Sequence, residues 1–177
     1  MSTYLQYDAI CNELEAIKLH DHESAAYGLW NAILGVQFPV AQEYIVRPQD
    51  QHGSQSGARG FSDLHVVQYR NNATEPEKFL IVQCKRAGTE SQGAVWEEAV
   101  DQLDRYLRAT HGKRAPAART PVYGIAAVGK WMRVYKYDDI NQCVLNWAPR
   151  RMRWNRWNLK KNDAQVQRIL DEILRNH

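Results

Sequence analysis

Asp63, Gln83 and Lys85 are residues of the types that could hold a divalent cation against a phosphate. Gln83 and Lys85 flank Cys84 at the end of the apolar run KFLIVQCK (78–85), which reads as a strand. Side chains alternate faces along a strand, so Gln83 and Lys85 share a face with Phe79 and Ile81, and Cys84 points the other way. A second strand, FSDLHVVQY (61–69), holds Asp63 near its start and is joined to the first by the polar link NNATEPE. Pairing the two as a hairpin sets a carboxylate, an amide oxygen and an ammonium together at one edge of a sheet. Mg2+ (or Mn2+) takes oxygen ligands, and beside a phosphate it activates a water. The same pattern also describes a strand that simply ends in polar residues at a solvent edge.

Nearby residues carry double readings. His65 shares a face with Asp63 and is either a neighbour that orients it or a structural histidine. His20-Asp21-His22 is either a cation-binding triplet or a polar helix start. Cys84 reads as a small buried apolar residue.

The elements that must position these groups follow from periodicity. Residues 3–18 predict a helix with Leu5, Ile10, Leu14 and Ile17 on one face, and residues 22–35 a second, stopped at Gly35. A short strand is expected at 42–47, followed by a polar loop from Pro48 to Gly60. Residues 93–109 predict a helix with an apolar stripe at Trp96, Ala99, Val100, Leu103 and Leu107. A hairpin is expected at 122–128 and 131–137, turning on Gly129-Lys130, and a closing amphipathic helix at 163–175. This order predicts an α/β (α+β) fold, a mixed sheet flanked by helices.

Composition bounds the rest. At 177 residues, 44% hydrophobic and 24% charged, the chain has the size and make-up of one globular domain. No apolar run is long enough to span a membrane, and the N-terminal stretch is acidic and amphipathic, unlike a signal peptide. Three scattered cysteines form neither a disulfide framework nor a zinc spacing and predict a reducing, intracellular setting. The net charge is only +3, but it is unevenly spread. Residues 1–23 carry five acids against Lys18, and residues 150–161 carry six bases and no acid. In RRMRWNRWNLKK, Arg150, Arg151, Arg153 and Arg156 interleave with Trp154 and Trp157; this is either phosphate contact with base stacking or two core tryptophans under a solvated basic surface. Lys113, Arg114 and Arg119 form a smaller basic group in a Gly/Pro/Ala-rich loop.

From Glu23 to Tyr106 the chain resembles the PD-(D/E)XK nuclease superfamily, most nearly the Holliday-junction-resolvase and RecB-like patterns. Glu23 heads the helix ESAAYGLWNAIL, Asp63 lies in GFSDLHVV after a long polar loop, and Gln83-Cys84-Lys85 follows FLIV. Gln102 and Tyr106 in QLDRY are similar to the Q-X-X-X-Y element of the RecB-like branch, and lie on one helix face. Glu97, Glu98, Asp101 and Asp104 crowd the same helix and read mostly as a solvated face, with Glu98 one turn before Gln102. Two positions depart from the pattern: Ser62 stands where the motif has Pro, and Gln83 where it has Asp or Glu.

The resemblance implies a restriction-endonuclease-like fold over 1–177, with a core at about 22–137, an added N-terminal helix and a basic C-terminal extension at 138–177. It implies Mg2+-dependent hydrolysis of DNA phosphodiester bonds, on structured or junction DNA. Glu23, Asp63, Gln83, Lys85 and Gln102 would be catalytic, and Asp63, Gln83 and Glu23 would hold the metal. Arg150, Arg151, Arg153, Arg156, Trp154, Lys113, Arg114 and Tyr106 would contact the nucleic acid. DNA is the expected partner, with RNA and a homodimer left open and no membrane. The alternative is a catalytically silent domain that binds nucleic acid or another protein, since Gln83 adds no charge.

Overall fold

The computed structural model describes residues 2–19, 21–48, 51–53, 59–61, 63–70, 73–112, 114–116, 119–152 and 155–177; for 51–53 and 59–61 it describes the backbone alone. The first expected helix divides. Tyr4–Gln6 forms a 3₁₀ turn, Tyr7 is extended, and α1 runs from Asp8 to Ala16. Tyr4 explains the break: it is buried, and its hydroxyl donates to the Leu159 carbonyl at 2.5 Å, which ties the turn to the far end of the chain. Helix α2 (Glu23–Gln37) passes through Gly35 and ends where Phe38 enters the core.

The strands are β1 (Tyr44–Pro48), β2 (Gln51–Gly53), β3 (Arg59–Phe61), β4 (Leu64–Gln68), β5 (Glu77–Lys85), β6 (Tyr123–Val128), β7 (Trp131–Asp138), β8 (Cys143–Asn146) and β9 (Trp157–Asn158). Helix α3 (Gly93–His111) separates β5 from β6, and α4 (Asp163–Asn176) closes the described chain. The expected polar loop carries an antiparallel ribbon, β2 on β3, lying against α3.

A seven-stranded sheet runs β1-β4-β5-β6-β7-β8, with β9 also paired to β7. β5 and β6 are parallel and joined through α3; the other pairings are antiparallel. This is the restriction-endonuclease-like arrangement, a mostly antiparallel mixed sheet flanked by helices.

Alternation along β5 divides the core. Leu80, Val82 and Cys84 pack with α1, α2 and α4, and Ile81 packs with Trp96, Ala99, Leu103 and Leu107 of α3. Phe79 does not share the face of Ile81. Val66 pairs with Leu80 but Val67 pairs with Lys78, so a bulge leaves Phe79 unmatched and turns it toward Phe38 (ring centroids 5.4 Å apart) and Tyr44 (5.8 Å). Gly124 lies under α3, where a Cβ would meet both Leu103 δ-methyls at 3.3 Å. Gly129 turns the β6–β7 hairpin at φ +53°, the conformation expected of a glycine in the first central position.

Candidate functional site

The apolar part of β5 ends at Val82, and the last three residues carry the chemistry. Leu64 pairs with Val82, so the residue just before it, Asp63, arrives beside Gln83 and Cys84. Asp63 Oδ2 accepts from Gln83 Nε2 at 2.8 Å and from the Cys84 backbone N–H at 2.6 Å. Asp63 Oδ1 has no hydrogen-bond partner among the described residues. Burial raises the Asp63 carboxyl to about 6; the Cys84 N–H pulls it down, the Glu23 charge pushes it up and Lys85 lowers it.

Glu23 lies in the first turn of α2 and is exposed. Its charge is felt at Asp63 and at Cys84, yet it bonds to neither. Cys84 is fully buried on the α2 side, and its thiol is pushed well up by that burial. Tyr27, one turn along α2, also senses Asp63, and its phenol is raised mainly by burial.

On the α3 side Lys85 Nζ donates to Glu98 Oε1 at 2.6 Å, and Gln102 Nε2 donates to the same oxygen at 3.3 Å. The Lys85 side chain is 12% exposed and that of Glu98 60%. Tyr106, the next turn of α3, is buried; burial raises its phenol, with Asp63 adding to the rise. Sequence reasoning placed Glu98 mostly on a solvated face. The spacing Glu98, Gln102, Tyr106 holds the signal, since residues four apart share one helix face.

Two buried acceptors stand out. Gln83 Oε1 and Gln102 Oε1 have no hydrogen-bond partner among the described residues. Buried polar atoms are nearly always satisfied, so each orphaned oxygen, one on the side chain that bonds Asp63 and one on the side chain that bonds Glu98, marks a place short of a donor.

This donor set fits Mg2+. Among the described residues no three His, Cys, Asp or Glu converge as a ready metal cage. Mg2+ is ordinarily held by one or two carboxylates with waters and substrate phosphates, not by an all-protein cage. The free oxygen on Asp63, the unanswered amide oxygens and the Glu98 carboxylate that pairs with Lys85 are all hard oxygen donors.

The expected nucleic-acid contacts divide into different environments. Arg114 donates to the Thr120 carbonyl at 3.0 Å and Thr120 Oγ1 at 3.2 Å, and pairs with Asp139 at 3.4 Å. Arg156 lies over the Trp131 ring at 4.7 Å and donates to the Glu90 carbonyl at 3.2 Å. Arg150 and Arg151 are exposed, the latter at φ +75°. Lys113, Arg153 and Trp154 lie outside the described residues, as do His20 and Ser62. Trp157 is buried in β9 opposite Met132, and Lys160 pairs with Glu15 of α1. His22 precedes α2 as an exposed N-cap without a side-chain capping bond, and His65 is fully buried opposite Ile81.

No protein-family model matches the chain, and no curated protein matches it in sequence. Among solved structures it is similar to a chain of the DrdV–DNA complex seen by cryo-electron microscopy, with a TM-score of 0.56 and 10% identity. The match covers 94% of this chain and 13% of that one, so this chain spans about an eighth of its neighbour's length. The likeness is one of fold. No described helix is long and apolar enough to cross a membrane.

Proposed function

We propose that the chain is a Mg2+-dependent nuclease domain that hydrolyses DNA phosphodiester bonds at the end of β5. The observation that carries the reading is Gln83 Oε1, buried and unanswered on the side chain that bonds a carboxyl raised to about 6, with Gln102 Oε1 likewise unanswered on α3. Such a cluster is completed by a cation. The fold neighbour is a DNA complex, which supports DNA as the partner.

Asp63, Gln83 and Glu98 would hold the cation, with Glu23 close enough to act through its charge. A divalent ion there supplies positive charge against a phosphodiester and makes a water acidic enough to attack it. Lys85, fixed by Glu98, presents its ammonium to the negative charge that develops on the phosphate oxygens. Gln102 holds Glu98 in place from one turn along α3. Glu98 supplies the second negative charge that Gln83 lacks.

One observation favours the silent alternative: Gln83 turns its N–H to Asp63 and thereby fills one of the carboxylate oxygens without any metal. Calorimetric titration with Mn2+, run beside a cleavage assay on linear and four-way-junction DNA, separates the two. Metal binding and cutting that both vanish in Asp63→Ala support the nuclease. DNA binding with neither metal uptake nor cutting establishes the silent module.

A further inference from the structure

Lys85 ends β5, and the residues after it, 86–92, cross to the start of α3 at the end of the sheet. Several bonds hold this crossing in one shape. Thr89 Oγ1 donates to the Arg86 carbonyl at 2.8 Å, and the Gln92 N–H donates to the Thr89 carbonyl at 2.9 Å. The Glu90 carbonyl accepts from the Trp96 indole at 2.9 Å and from Arg156 at 3.2 Å. Ala87 is buried, and Gly88 turns the chain at φ +85°.

The β6–β7 turn is pressed against this crossing. The Gly129 N–H donates to the Lys85 carbonyl at 3.2 Å, and a Cβ on Gly129 would meet Ala87 Cα at 3.1 Å. Both chain neighbours of Arg86 therefore lie against Gly129, and Lys130 follows Gly129 directly. The Lys130 carbonyl accepts the Leu159 N–H at 2.9 Å, which fixes the turn from its other side. Lys85, Arg86 and Lys130 thus meet at one corner of the sheet, beyond the face that α3 covers.

Their charges are answered unequally. Lys85 pairs with Glu98. Arg86 is exposed and Lys130 half-buried, and neither side chain has a hydrogen bond or an ion pair among the described residues. Glu15 is close enough to sense Lys130 but is paired with Lys160. The Glu90 carboxylate lies against Gly129. With the two ion pairs cancelling, Arg86, Lys130 and Arg156 face a single carboxylate. Positive charge in excess on a fixed backbone suits a polyanion. Arg brings a planar fork that matches a phosphate, and Lys a point charge.

We propose that Arg86 and Lys130 form a backbone-phosphate subsite at this corner, taking the phosphate next to the one held at Asp63 and Lys85. This rests on the nucleic-acid reading above and deepens it with a direction: the strand passes from Lys85 around the end of β6, outside the sheet. Neither residue belongs to the nuclease motif.

The test measures affinity for a labelled four-way junction and a linear duplex in EDTA, over a range of salt, for wild type, Arg86→Gln, Lys130→Gln and the double variant. Lys136→Gln is the control: Lys136 stands opposite Tyr123, at the far end of β6, and its side chain has no ion pair among the described residues. Each phosphate contact adds about 0.9 to the slope of log affinity against log salt. The double variant should therefore flatten that slope by about 1.8 and bind about tenfold more weakly or worse, with the control unchanged. Arg86 is exposed on its loop, so Arg86→Gln alone, with a slope flatter by about 0.9, decides the matter if a change at Lys130 disturbs the turn. A folded double variant with wild-type slope and affinity overturns the subsite and leaves the nuclease reading standing. A per-residue loss as large in Lys136→Gln makes the effect one of net charge and likewise overturns the subsite alone. Failure of the wild-type chain to bind either DNA overturns both.

Discussion

Gln83 donates its amide N–H to Asp63 at 2.8 Å, and this bond directs its own carbonyl oxygen into a buried position that no described residue answers. The side chain thus does two opposed things. It satisfies the carboxylate in the absence of a cation, and it leaves an oxygen waiting for one.

Gln83→Glu should reverse that balance. The new carboxylate loses the donor to Asp63 and adds a like charge beside it, so the metal-free protein should melt lower, especially above pH 6. Mg2+ should bind more tightly and recover the loss, because hard cations prefer charged oxygen ligands. Titration calorimetry and melting curves with and without Mg2+ check this. Equal Mg2+ affinity in the two forms would mean that residue 83 does not face the cation.

Asp63→Asn should stabilise the protein at neutral pH. In the folded chain the Asp63 carboxyl is raised from the ordinary 3.8 to about 6, chiefly by burial. Its contribution to stability is fully present below the unfolded value and is lost as pH rises through the folded one. Asn removes that loss, so the variant should gain up to about 2 kcal/mol above pH 6 after solvent screening, and almost nothing near pH 3.8. Denaturant unfolding at several pH values measures the difference. A gain that is independent of pH would show that Asp63 ionisation is not its source.

Lys85→Ala and Glu98→Gln should separate charge stabilisation from metal holding. Removing the ammonium should cut cleavage by about a hundredfold or more while Mn2+ still binds. Removing the Glu98 charge should weaken Mn2+ binding and cleavage together, at a cost in stability below about 1 kcal/mol, because the pair is largely exposed on the Glu98 side. Cleavage rates and metal titrations on both variants check the assignment. Unchanged metal affinity in Glu98→Gln returns Glu98 to a purely structural pairing.

Arg114→Ala should act on stability and not on DNA binding. Its guanidinium is committed to Thr120 and Asp139, so its removal leaves the Thr120 carbonyl without that donor. A fall of several degrees in Tm with an unchanged salt slope is expected. Arg150 and Arg151, both exposed, should behave in the opposite way: replacing the pair with Ala should leave Tm alone and flatten the salt slope by up to about 1.8.

Local pattern decided much of this protein before it folded. The apolar run 79–82 followed by alternating polar residues determined a strand that ends in Gln83 and Lys85, because period-two alternation is a property of the backbone itself. The stripe on α3 and the turn at Gly129 were legible for the same reason: each depends on neighbours a few residues away. The short pieces were not. The ribbon β2–β3, the edge strand β8 and the two-residue β9 have no repeat of their own, and exist because longer strands or α3 offer them partners. The break at Tyr7 and the bulge at Phe79 were likewise set from afar, by the Leu159 carbonyl and by the ring cluster of Phe38, Tyr44 and His177.

The site divides in the same way. Sequence alone determined that Asp63, Gln83 and Lys85 would end neighbouring strands. Only the tertiary structure decided that Gln83 gives its N–H to Asp63, that Glu98 joins Lys85, and that Arg114 is spent inside on Thr120 and Asp139. Those choices depend on which side chains meet across elements far apart in the chain, and on what water is excluded when they do. No spacing along the sequence encodes either.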